Sequence, residues 1–522
     1  VTQQLIITTP ANTGTGDSPK SAFDKVNANF SDLYAGTGQV YTPPFTGGVA
    51  TTVSAKLAQT VSVIDFGADP TGNADSTAAF TNAATALTVG GGTIYLPPGT
   101  YKFSSITLPA GVVLSGAGVF ASTLKCTSAT ATAIFMNSAT ELMNLQITSA
   151  VTRTAGYYVD IEGNGVRIEN CQFSGYFIAI SVGVIGGTLP SYPTISNCSF
   201  FNPVVATGAG GIQLLNFSNA ALFNLLLTGP TGTQPDFGVR VQNGDTSFLT
   251  YCNITLHGKA LVTDVPVSSN CYALNAVACA FDSAGTITGG ATVSCAELTP
   301  SGGLYDTKFS NCWFGISSAK FGANLAPNGA GVINGISFDG CEFVRNGDSG
   351  LLAAGAGVTN WVVTGGGSGG NTNNGIRAAS GTTHFTITGH HTGNWGGYAN
   401  NNYGIEIDST GADYYLITGN NCANNTTAGI LDQGTGTHAQ VYDNLGYNGA
   451  TNVQGLTVGA SPYTYTAGHT PEILYIQGGT VSSVTIESTG VFSATNCTVN
   501  LVPNESVTVT YSALPTISRK KI

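Results

Sequence analysis

Apolar and polar residues alternate in short runs along most of the chain, the period of a strand with one buried face rather than that of a helix. The alternation also recurs at a longer interval. Near-identical half-turns stand at Asn144-Leu145, Asn170-Cys171, Asn197-Cys198 and Asn224-Leu225, and the second residue of each pair returns at Cys252, Cys279, Cys312 and Cys341. The steps are 26, 27, 27, 27, 27, 33 and 29 residues, with apolar neighbours at alternating positions, such as Ile168 and Phe173 around Cys171. A strand-like repeat of this length predicts a solenoid whose unit is one coil of β-structure. Beyond Cys341 the anchor row continues as Gly366, His390, Asn420 and Asn444. A second strand begins nine residues after most of these anchors, at Gly350, Gly375 and Gly429; after His390 it begins only at Gly404, fourteen residues on, so that coil carries an extra loop.

Two stretches depart from the coil period. Phe23, Val26, Phe30 and Leu33 recur at helical spacing, predicting an amphipathic helix over Ser18 to Tyr34, followed by a Gly/Thr/Pro-rich linker from Gly36 to Gly48. Asp75 is placed to cap a second helix, Ser76 to Leu87, which Gly90 to Gly92 end before a strand over Thr93 to Leu96. Such a helix would cover the open end of a coil stack. After about Gly455 the period fades, and strands are predicted at Glu472 to Ile476, Val481 to Ile486 and Ser506 to Tyr511. The expected domains are an arm and linker over 1–50, a coil domain over 51–455, and a small C-terminal β-domain over 456–522.

Composition narrows the partners. Of 522 residues only 8% are charged, and a net charge of −11 with 16 Lys and Arg leaves no basic stripe for nucleic acid. No run of about eighteen apolar residues predicts a membrane span, and Val1 to Ile6 lack the basic and apolar regions of a secretory signal. Eleven Cys is an odd number, and most occupy one coil position, where they exchange with Leu145 and Leu225. They are expected to be a stack of reduced, buried thiols, suited to assembly in a reducing cytosol. CxxC and CxxH spacings and calcium-loop patterns are absent, so no metal and no cofactor are expected.

Val63-Ile64-Asp65-Phe66-Gly67-Ala68-Asp69-Pro70-Thr71-Gly72-Asn73-Ala74-Asp75-Ser76, with Gly91-Gly92-Thr93-Ile94-Tyr95-Leu96-Pro97-Pro98-Gly99-Thr100-Tyr101, closely resembles the opening segment of the pectate-lyase-like right-handed parallel β-helix superfamily. That superfamily includes polygalacturonases, pectate lyases and phage tailspike depolymerases. Gly14-Thr15-Gly16-Asp17 and Phe23-Asp24-Lys25-Val26-Asn27-Ala28-Asn29-Phe30 resemble the virion-attachment segment of phage tail proteins. Together they imply an all-β tailspike: a homotrimer bound through its arm to a phage tail or baseplate protein, located on the virion tail and acting outside the cell on a bacterial surface polysaccharide.

Candidate chemistry comes from register. With Ile376, Ile405 and Ile430 inward, Arg377, Glu406 and Leu431 form one outward row and Ala379, Asp408 and Gln433 the next. Glu406 and Asp408 then share a face with backbones roughly 6.5 Å apart, at the border between retaining and inverting glycosidases. The enlarged loop before them carries His391, Trp395, Tyr398 and Tyr403, groups that could bind sugar, and Arg377 lies one coil below. A second constellation comprises Trp313 and Glu342, outward after their anchor Cys residues, with Asp339 and Asp348 flanking Glu342 and His391 two coils on. Glu342 is the substitute catalytic carboxylate. Asp160 and Glu162 repeat the i, i+2 spacing with less polar company and read as structural; His390 belongs to the inward row, and no partner is assigned to His384. The expected activity is endo-cleavage of the surface polysaccharide, capsule or O-antigen, by acid/base hydrolysis with Glu406 and Asp408. The alternatives are a lyase using His391 or a Tyr as base with Arg377 or a metal neutralising a uronate, and glycan binding without cleavage through Trp395, Tyr398 and Tyr403.

Overall fold

The computed structural model describes residues 17–35, 40–187, 189–398, 402–408, 410–447 and 453–522. The first sixteen residues, part of the linker and the tip of the enlarged loop therefore lie outside the described residues. The described chain is a right-handed parallel β-helix of about 14 turns, followed by antiparallel sheets. Each full coil contributes three strands. The first and second faces run together in one 30-stranded sheet, and the third forms a separate 12-stranded sheet.

The Asn of each repeated pair turns the corner from second to third face. Asn144, Asn170, Asn197 and Asn224 have φ of 59°, 51°, 53° and 52°, a left-handed conformation that costs most L-residues about 1–2 kcal/mol but that Asn tolerates. Their side chains also pair between coils: Asn170 Nδ2 donates to Asn144 Oδ1 at 2.6 Å, and Asn224 to Asn197 at 2.8 Å. In the later coils Gly340, Gly365, Gly389 and Gly419 turn the same corner with φ of 62° to 68°.

The anchor after each corner points inward. Cys252, Cys279, Cys312 and Cys341 donate their thiols to Leu222, Leu249, Ala276 and Phe309 carbonyls of the preceding coil at 3.3–3.5 Å. These thiols are thus weak donors as well as small apolar groups. Asn420 and Asn444 meet the equivalent carbonyls of Ile387 and Ile417, both at 2.9 Å. Beside the anchors run stacked rings, Phe281, Phe314 and Phe343 with centroids 5.2 and 5.3 Å apart.

The N-terminal helix spans Pro19–Ala35, with Phe23 and Phe30 exposed at 69% and 52%. The covering helix spans Thr77–Ala86 and seats Phe80 against Tyr101 and Phe103 at the end of the stack. Its capping differs from expectation by one position: Ser76 occupies the N-cap without a side-chain cap bond, because its hydroxyl accepts from the Asp69 N–H. The Asp75 carboxylate still accepts from Thr77 N–H at 2.8 Å. Asp69 also gathers the N–H groups of Thr71, Asn73 and Ala74, so this motif residue builds a turn.

At the far end, two antiparallel four-stranded sheets enclose a second core of Leu474, Ile476, Val484, Val507 and Val509. The predicted strands appear as Glu472–Gln477, Thr480–Ile486 and Ser506–Ala513. They meet the last coil through a hydrogen bond from Asn504 Nδ2 to the Ala439 carbonyl and through a cluster around His469. His469 Nδ1 lies 2.6 Å from Asp432 Oδ2, Tyr415 O–H donates to Asp432 Oδ1 at 2.6 Å, and the His469 carbonyl accepts from Val441 N–H. Burial opposes charge on His469, but the Asp432 carboxylate outweighs it and holds the imidazole above its ordinary value, with Asp413 adding to the effect.

Two measurements test this architecture. A thiol reagent should find ten of the eleven cysteines buried in the native protein, with only the partly exposed Cys497 accessible, and all eleven free without reductant after unfolding. A His with a raised native pKa stabilises the fold fully below its unfolded value, and that contribution is lost as pH rises through the native value. The melting temperature of the C-terminal unit should therefore fall as pH rises from the ordinary imidazole value through the raised native one, and Asp432→Asn should flatten that dependence.

Candidate active site

The first face places Leu352, Arg377, Glu406 and Leu431 in register on successive coils. Ile376, Ile405 and Ile430 are buried beneath, so the alternation puts Arg377 and Glu406 outward. Arg377 bridges the two carboxylates: its Nε is 2.7 Å from Asp408 Oδ2 and 3.3 Å from Glu406 Oε2, and a second guanidinium nitrogen also contacts Asp408. Asn374, only 3% exposed, donates to Glu406 Oε2 at 2.6 Å and accepts from Tyr403 N–H at 3.2 Å. One coil below, Asp348 is held by Asn373 Nδ2 at 2.8 Å.

Burial raises the Glu406 pKa above the ordinary carboxyl value. Arg377 and the Asn374 hydrogen bond pull it down, while Asp408 and Asp348 push it up. A partly buried acid beside an ion-paired carboxylate is the arrangement that lets one group donate a proton while the other remains an anion.

The aromatic residues are divided between faces. On the third face Trp313, Glu342, Gly367 and His391 pair in succession. The Trp395 indole lies on Gly367, where a Cβ would stand 2.2 Å from it, and its ring centroid is 5.4 Å from that of His391. Tyr398 packs on Gly370 and carries the Arg345 guanidinium 5.6 Å from its ring centroid. Thus His391, Trp395 and Tyr398 join the Trp313–Glu342 ladder, whereas Tyr403 begins the strand that carries Glu406. Burial raises the pKa of Asp282, opposed by hydrogen bonds from Ser283 and Trp313. Among the described residues no hydrogen bond or ion pair engages the Glu342 carboxylate.

Other titratable residues have separate surroundings. His390 is buried between Gly365 O at 2.6 Å and Ser368 Oγ at 3.2 Å, and burial lowers its pKa to about 4. His384 stacks on Tyr414, and Tyr414 on His438, with centroids 4.5 and 4.2 Å apart on the exposed second face. Asp160 lies on the first face; burial, with Glu162 nearby, raises its pKa to about 7. Sequence reasoning missed Asn374 and Arg345. The polar run Asn371-Thr372-Asn373-Asn374 before an apolar strand was the available signal for the first; nothing marked Arg345, whose partner Tyr398 arrives from the loop two coils on.

Residues 60–286 match the family model described as rhamnogalacturonase A/epimerase, pectate lyase-like. A search of curated proteins finds no match. Among solved structures, tailspike protein 3 of bacteriophage CBA120 is 16% identical and aligns over 86% of this chain and 73% of its own, with a TM-score of 0.60. The tailspike of E. coli bacteriophage HK620, solved in complex with a pentasaccharide, is 13% identical over 95% of this chain and 99% of its own, with a TM-score of 0.54. The Dettilon tailspike is 12% identical over 90% and 95%, with a TM-score of 0.51. At these identities the likeness is one of fold.

If Asn374 restrains the Glu406 titration as the geometry indicates, Asn374→Ala should raise the Glu406 pKa further, read by carbon NMR of the labelled carboxyl. A downward shift or none would remove Asn374 from the site.

Proposed function

We propose that this chain is a phage tailspike that binds a bacterial surface polysaccharide, capsule or O-antigen, and cleaves it within the chain by glycoside hydrolysis. The observation that carries this is the Arg377-bridged pair of Glu406 and Asp408 on an outward face of the coil stack. Glu406, with its raised pKa, protonates the glycosidic oxygen; Asp408, ion-paired with Arg377, acts as the anion that activates water or attacks the anomeric carbon. Arg377 orients both carboxylates and is a positioning residue. Trp313, His391, Trp395, Tyr398 and Tyr403 supply ring and polar contacts to sugars, and Glu342 is the alternative acid.

Support for the tailspike assignment comes from the shared fold, the arm motif and the exposed Phe23 and Phe30 on its helix, which suit docking on a tail or baseplate protein. A homotrimer is part of the proposal. The lyase route is disfavoured by Arg377 itself: a guanidinium already shared by two carboxylates has little capacity left to neutralise a uronate.

Mass spectrometry of polysaccharide treated with the protein separates the possibilities: fragments with added water are expected, unsaturated ends would indicate a lyase, and intact polymer a pure adhesin. Glu406→Gln and Asp408→Asn should each lower the cleavage rate by about 10²-fold or more with unchanged melting. Full cleavage by both variants would transfer the chemistry to Glu342.

A further inference from the structure

A cleft of about 510 Å³ opens beside the turn between the first and second faces, lined by Ile185, Leu189, Phe217, Val267, Asn270 and Tyr272 among others. It lies five coils from Glu406, counted along Leu261, Ala296, Ala323, Leu351, Ile376 and Ile405. At the usual strand spacing that is roughly 24 Å, so the cleft is separate from the carboxylate pair.

Three kinds of surface meet there. Ile185, Leu189 and Val267 form an apolar wall that is 40%, 51% and 73% exposed, an unfavourable arrangement unless something covers it. The Tyr272 ring stacks on Tyr305 with centroids 5.2 Å apart and stays 44% exposed, a rigid aromatic surface beside that wall. Asn270 supplies the polar group. Its backbone N–H is held by Asn243 Oδ1 at 3.3 Å, and Asn243 in turn donates to Asn216 Oδ1 at 2.8 Å. Among the described residues, no hydrogen bond engages the Asn270 carboxamide. Gly303 makes room for it: a Cβ there would stand 2.5 Å from Asn270 Oδ1 and 2.2 Å from the Tyr305 ring.

We propose that this cleft is a non-cleaving glycan subsite for a 2-acetamido sugar, an inference that rests on the glycan-binding function proposed above. An acetamido group presents a methyl to the apolar wall and an amide whose donor and acceptor complement Asn270, while the pyranose C–H face covers Tyr272. An unsubstituted hexose would leave the wall in water. An acidic sugar meets no cation in the lining and instead faces Asp245, whose carboxylate is held by Ser218 Oγ and the Asn219 N–H.

Saturation-transfer NMR on the full chain, with methyl glycosides of N-acetylglucosamine and N-acetylgalactosamine and their unacetylated hexose parents, tests this. At least one acetamido glycoside should bind at least tenfold more tightly than its parent, with strongest transfer to the acetyl methyl. Asn270→Ala and Tyr272→Ala should each weaken it about tenfold, and Glu406→Gln should leave it unchanged. Equal binding of the parents, binding insensitive to both cleft variants, or loss only in Glu406→Gln overturns the inference. Polysaccharide cleavage with no binding of either acetamido glycoside overturns it while leaving the hydrolase standing; cleft-dependent binding with intact polysaccharide does the reverse.

Discussion

From Asn144 to Asp443, each coil of the described chain turns on one left-handed residue between its second and third strands. A parallel coil must turn sharply there without losing the inter-coil hydrogen bonds on either side, and a positive φ does this within one residue. Asn meets the requirement in the early coils and pairs with its counterpart above; Gly meets it later at no steric cost. Tyr251 and Ala278 adopt the same conformation at φ of 54° and 51°, which shows that the stacked ladders impose the corner even on residues that disfavour it.

The corner also sets the chemistry of the adjoining anchor position. The anchor side chain is forced inward beneath a carbonyl of the preceding coil, so the position selects for a small group that can donate weakly or strongly. Cys and Asn satisfy it by different atoms in different parts of the stack. Leu145 and Leu225 satisfy only the packing. The same register turns side chains outward in rows one coil apart, and that spacing is what allows Arg377 to span carboxylates that belong to the next strand of its face.

Order along the stack has a functional consequence. The carboxylate pair and the aromatic loop sit in the late coils, where Gly replaces Asn at the corners and Gly367 leaves space for an indole against the backbone. The last coil is then closed by a partly buried Asp432–His469–Tyr415 cluster, which covers an otherwise open strand edge with a group that titrates.

The solenoid, its inward rows, the thiol stack, the covering helix and the adjacency of Arg377 to Glu406 were all legible in the chain, because each depends on periodicity, and periodicity survives in one dimension. The capping detail at Ser76 was not, since Asp69 competes for its hydroxyl from across a turn. Nor was the partition of the aromatic loop. Trp395 and Tyr398 precede Glu406 closely in sequence, yet the coil bends between them and presents them on the third face, beside the His391 that the anchor register had already set two coils on from Glu342. Asn374 became a partner of Glu406 only through stacking, 32 residues apart. The sequence by itself determined which residues point in or out, because strand alternation is local. Only the tertiary structure decided which loop residues join which face and where burial shifts a carboxyl, because both depend on neighbours supplied by other coils.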